Sequence, residues 1–126
     1  MYRDPIKEKT LKAVRGACCS ANEKEAIIQR TIELYDKILS ANEITEGDLL
    51  SLFFSITRDI DTFNPASALR RSGRAKDCAM MVFQEAAGEG SLPGTIRVLI
   101  HVFMAAEKPV QHIYIRGAEV LRPDFG

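Results

Sequence analysis

Apolar positions recur along this chain with two different periods. From Leu11 to Cys18 they suit a first strand, with Val14, Arg15, Gly16 and Ala17 at its C-terminal end. Ile27, Ile28, Thr31, Leu34, Tyr35, Ile38 and Leu39 then follow at helical spacing, one stripe of a long amphipathic helix that ends near Asn42. Asn22, with Glu25 three residues on, reads as its capping box. The nearly unbroken run Leu49 to Ile56 predicts a strand covered on both sides. Asn64 before Pro65 is a strong helix start, and Gly73 suits the position just past the end of that short helix. Cys78 to Glu85, Ile96 to Ala105 and His112 to Arg116 predict three more strands, and Gly117 to Pro123 an extended tail.

This order predicts an α+β fold: a mixed β-sheet with one long and one short helix on one face. Strand alternation puts Arg97, Leu99, His101 and Phe103 on one side, with Ile96, Val98, Ile100 and Val102 on the other. Two helices cannot cover both faces of so apolar a sheet. The bare face is expected to meet further copies of itself, making a homo-oligomer.

Composition narrows the class. The 126 residues suit a single domain, expected over 11–126, behind a flexible, charged segment at 1–10. Seventeen basic residues balance seventeen acidic ones, without the excess a nucleic-acid binder carries. Met1 to Thr10 has no apolar stretch of the sort a secretory leader needs, and Val98 to Ala106 is too short to span a bilayer. No membrane association is expected, and the expected location is cytoplasmic. Cys18, Cys19 and Cys78 are odd in number and lack zinc-ligand spacing, so they read as free thiols. His101 and His112 lack a neighbouring ligand at metal spacing and read as structural residues. No cofactor and no metal are expected.

Candidate chemistry lies in arginines at strand ends. Arg15 closes the first strand, Arg97 opens the fourth, and Arg122 lies between Leu121 and Pro123. A guanidinium suits forked recognition of carboxylates and stays charged when partly buried. Glu85 ends an apolar run, where an acid pairs with a cation or addresses a ligand. No nucleophile elbow, phosphate loop or dinucleotide fingerprint is present.

Five short motifs in order carry a resemblance: Val14 to Ala17; Gln84 with Glu85; Ile96 to Val98; His112 to Tyr114; and Val120 to Asp124. Over roughly Leu11 to Phe125 the chain resembles the monofunctional bacterial chorismate mutases of the trimeric, non-helical type. The resemblance implies a trimeric pseudo-α/β-barrel with sites between subunits. It implies an isomerase of aromatic amino-acid biosynthesis that converts chorismate to prephenate without cofactor or metal. It assigns Arg97 to the ether oxygen and one carboxylate, Arg15 and Tyr114 to the side-chain carboxylate, and Glu85 to the ring hydroxyl. Arg70, Arg122, Leu121, Ala66 and Val82 are implied as further substrate contacts.

The chain departs from the family in places. An aromatic residue commonly precedes the Pro-Ala of the short helix, where Asn64 stands here, and Ser67 replaces a basic residue. Val82 replaces a common Cys. Two other readings remain open: a non-catalytic metabolite-binding trimer on this scaffold, and an enamine/imine deaminase-like enzyme.

Overall fold

The computed structural model describes residues 8–122. Five strands and two helices follow one another as β1 (Lys9–Cys19), α1 (Lys24–Asn42), β2 (Leu49–Ile56), α2 (Pro65–Arg71), β3 (Ala79–Gln84), β4 (Thr95–Ala105) and β5 (Ile113–Ile115). Single 3-10 turns lie at Glu46–Asp48 and Ala118–Leu121. The strands form one mixed sheet in the order β3-β2-β4-β1-β5. Strand β4 runs antiparallel to both β1 and β2, whereas β3 lies parallel to β2 and β5 parallel to β1.

Alternation decides which face is dry. Val14, Cys18, Leu52, Phe54, Ile96, Val98, Ile100 and Val102 point to one side and are buried under Ile27, Leu34, Tyr35 and Ile38 of α1 and Leu69 of α2. Gly16 lets α1 approach closely. A Cβ there would lie 2.7 Å from the Ile38 side chain and 2.9 Å from the Ile113 carbonyl. On the other side, Leu11, Met81, Phe83 and Phe103 are exposed.

Several expectations are corrected. Asn22 does not cap α1: Glu23 holds that position without a side-chain cap bond. The Asn22 side chain instead ties the loop after β1 to the loop before α2. It accepts from the Asp61 and Thr62 amides, each at 3.0 Å, and donates to Asp61 at 2.7 Å. That bridge engages more polar groups than a cap would.

Strand β2 is covered on one side only, since Ser51, Phe53 and Ser55 stay partly open. The sheet begins at Lys9, so Lys9 and Thr10 belong to β1 and not to a flexible segment. The rest of that segment, residues 1–7, lies outside the described residues. The tail turns into a 3-10 helix over Ala118–Leu121 in place of an extended run. Arg116 and Gly117, both at positive φ (55° and 95°), reverse the chain there.

Candidate active site

Where β1 and β2 end and β4 begins, the uncovered face dips into a cleft of about 320 Å³. Its lining includes Arg15, Ala17, Phe53, Ser55, Arg97 and Tyr114, with Phe83, Leu99 and Leu121 at its apolar walls.

Arg97 is centred there by the sheet register. It lies opposite Ala17 of β1 on one side and Ser55 of β2 on the other. Directly opposed side chains on one face stand about 4.5–5.5 Å apart, so two small neighbours leave room for a guanidinium. Glu85 follows β3, and its amide donates to the Ile56 carbonyl at 2.7 Å, which fixes where the carboxylate starts. The pair meets as a fork, Nε donating to Oε1 at 3.0 Å and Nη2 to Oε2 at 3.4 Å. Glu85 is the more enclosed partner, 17% exposed against 39% for Arg97, so the cation is the one that reaches the open cleft.

Strand β5 is only three residues long and needs outside support. Its register against β1 puts Tyr114 opposite Ala17. The Arg15 amide donates to His112 Nδ1 at 2.9 Å. Burial first, and the Arg15 charge second, hold the His112 pKa below its usual 6.5. The ring is therefore neutral near pH 7, with its proton on the other nitrogen. Buried Asn42, the last residue of α1, accepts from the Gln111 amide at 2.8 Å. It also donates to the Gln111 and Ile38 carbonyls at 2.9 and 2.8 Å. The chain reversal after β5 then carries Leu121 to the cleft wall.

Arg15, Arg97, Tyr114 and Leu121 thus share one cleft, with Glu85 bound to Arg97. Arg122 lies in an adjoining groove that Tyr114 also borders, together with Lys37 and His112. Three expected contacts stand elsewhere in the chain. Ala66 is buried in the helix–sheet core, Val82 packs against that core, and Arg70 is exposed in the last turn of α2. Ser55, Phe53 and Phe83 were not anticipated as lining. The alternation of Phe53 and Ser55 with buried Leu52 and Phe54 was the available signal.

Two arginines, one carboxylate and a phenol on apolar walls can bind and orient a small anion bearing a hydroxyl. They do not form a nucleophile–base pair. The Cys18 thiol is pushed up to about 12 by burial and, next, by Cys19, which leaves it unreactive. Among the described residues no three His, Cys, Asp or Glu side chains converge as a metal would require. No helix among them is long and apolar enough to cross a membrane.

The family model for chorismate mutase type I matches residues 11–125. The chain is 36% identical to chorismate mutase AroH of Thermus thermophilus over 120 residues, covering 91% of this chain and 96% of that one. It is 29% identical to chorismate mutase AroH of Bacillus subtilis over 117 residues, covering 91% and 92%. A solved chorismate mutase from Clostridium thermocellum superposes with a TM-score of 0.79 at 34% identity, covering 86% of this chain and 98% of that one.

Proposed function

The chain belongs to the chorismate mutase type I family, and from that membership we propose how its own residues perform the reaction. It isomerises chorismate to prephenate, a step of aromatic amino-acid biosynthesis. The reaction is a concerted [3,3] shift: one C–O bond breaks as one C–C bond forms. No proton moves and no electron donor is consumed, so the protein need only hold the enolpyruvyl arm over the ring and meet the charge that develops on the ether oxygen.

The observation that carries the proposal is the convergence of Arg15, Arg97 and Tyr114 on one apolar cleft, with Glu85 on Arg97. Arg97 faces the ether oxygen and one carboxylate. Arg15 and Tyr114 hold the side-chain carboxylate. A carboxylate has about four acceptor sites, so Glu85 can keep Arg97 and still accept the ring hydroxyl. Leu121 and Arg122 close the cleft from the tail.

Arg70 and Ala66 reach a cleft only from a neighbouring subunit. A homotrimer with sites at its interfaces gives them that role, and it covers the bare face bearing Leu11, Met81, Phe83 and Phe103. The expected setting is the cytoplasm.

The test is loss of chorismate with prephenate identified as product, in buffer containing a chelator. A requirement for a divalent ion would overturn the mechanism. Mixing inactive Arg70→Ala and Arg97→Ala subunits tests the shared site. Activity should return in the mixture, because some interfaces then combine two intact halves, and a mixture that stays inactive refutes sharing.

A further inference from the structure

Strand β2 turns two serines and one phenylalanine toward the uncovered face: Ser51, Phe53 and Ser55. Ser51 is occupied, its hydroxyl 3.1 Å from His101 Nδ1. Ser55, half-buried in the cleft lining, has no side-chain hydrogen bond to any described residue. Its surroundings leave little for it to bond. It lies opposite Phe83 of β3 on one side and Arg97 of β4 on the other, and the Phe53 and Phe83 rings stack beside it with centroids 6.2 Å apart. A hydrogen bond made by a half-buried hydroxyl beside an aromatic wall is stronger than one in water.

Arg97 commits Nε and Nη2 to Glu85 and keeps its remaining donors for a ligand. A carboxylate seated on those donors has a second oxygen, and directly opposite Arg97 in the register Ser55 offers an uncommitted hydroxyl. We infer that Ser55 is a further substrate-contacting residue, donating its hydroxyl to the carboxylate that Arg97 holds. The two donors together fix the rotation of that carboxylate, which a single cation on one side does not. The inference rests on the chorismate reading above.

The test compares turnover of wild type, Ser55→Ala, Ser55→Thr and Ser55→Val, with thermal unfolding of each. Loss of a hydrogen bond to a charged group should lower kcat/KM by about ten- to a hundredfold in Ser55→Ala at unchanged melting temperature. Thr and Val occupy the same space and differ by the hydroxyl. Any steric cost from the added methyl falls on both, so Ser55→Thr should exceed Ser55→Val by a similar factor. Equal activity of the Thr and Val variants overturns the inference, as does an unchanged kcat/KM in Ser55→Ala. Wild-type turnover with either of those results removes Ser55 alone. A wild type that does not convert chorismate overturns the mutase reading and the Ser55 assignment with it.

Discussion

Arg97 and Glu85 interlock through two hydrogen bonds at the cleft edge, although one opens β4 and the other follows β3. The strands between which they meet do not pair with each other, because β2 separates them. Their contact therefore depends on reach across a strand, which only long side chains have.

Replacing Arg97 is expected to be severe. On the proposed role, Arg97→Ala removes the charge facing the developing oxyanion, a loss of about 3–4 kcal/mol of transition-state stabilisation. Arg97→Lys should recover little, because a point ammonium cannot hold Glu85 through a fork and address the ether oxygen as well. Steady-state kinetics checks this, and a lysine variant as active as wild type would remove the proposed role.

Asn42 gives a prediction about positioning. Asn42→Ala leaves the Gln111 amide and carbonyl without their partner, and a buried polar group left unpaired costs about 1–3 kcal/mol. Because the clasp precedes β5, the variant should also lose activity through a loosened Tyr114. Denaturant unfolding and kcat on the same preparation check both effects. Unchanged kcat in a destabilised protein would confine Asn42 to stability.

The structure bears on Asn64 directly. Its side chain accepts from the Ala66 amide at 2.8 Å and the Ser67 amide at 3.3 Å, which makes it the working cap of α2. Asn64→Ala should cost about 0.5–2 kcal/mol, and Asn64→Asp should retain most of that. Asn64→Phe should likewise lower the melting temperature. A KM lowered by the same change would mean that position 64 also faces substrate.

His112 sets a pH dependence. Its folded pKa lies below 6.5, the value an unfolded chain would show. On acidification the unfolded chain takes up the proton first, so stability is drained. The contribution is complete above pH 6.5 and is lost as pH falls through the lowered folded value. An imidazolium could not accept the Arg15 amide. His112→Gln, which keeps an acceptor and does not titrate, should flatten the melting-temperature profile on the acid side of pH 6.5. Three carboxylates act further down: Asp48 with Lys9, Asp59 with Thr57 and Glu33 with Arg116 are each held below their usual pKa, and their share is lost only in that acidic range.

Much of this was legible in the residues because local periods survive in the fold. The stripe from Ile27 to Ile38 is the buried face of α1, and the alternation from Ile96 to Phe103 gives the two faces of β4. Motif order was enough to name Arg15, Arg97, Tyr114 and Leu121, which the structure gathers into one cleft. Register was not legible. That Ala17 and Ser55 flank Arg97 is set by pairing between distant strands, and no local signal specifies it. Asn22 misled for a related reason: its sequence neighbours suit a cap, but the loop at Asp61 and Thr62 comes close only in three dimensions. Ala66, Arg70 and Val82 were named by motif, but Ala66 and Val82 lie with the helix–sheet core and Arg70 on the surface of α2, and motif order carries no information about which face of the sheet a residue reaches.

The parallel pairing of β1 with β5 has a consequence for how the molecule comes into being. Gly16 must find Ile113, nearly the whole chain away, and β1 must also receive β4. A nascent polypeptide leaving the ribosome therefore carries Arg15 long before Tyr114 exists, and the first strand waits with both edges unpaired. Such distant closures are slow steps in folding. Catalytic competence should arrive last, after the C-terminal residues emerge, so truncation just ahead of Ile113 should yield helix-containing chains that turn over no chorismate.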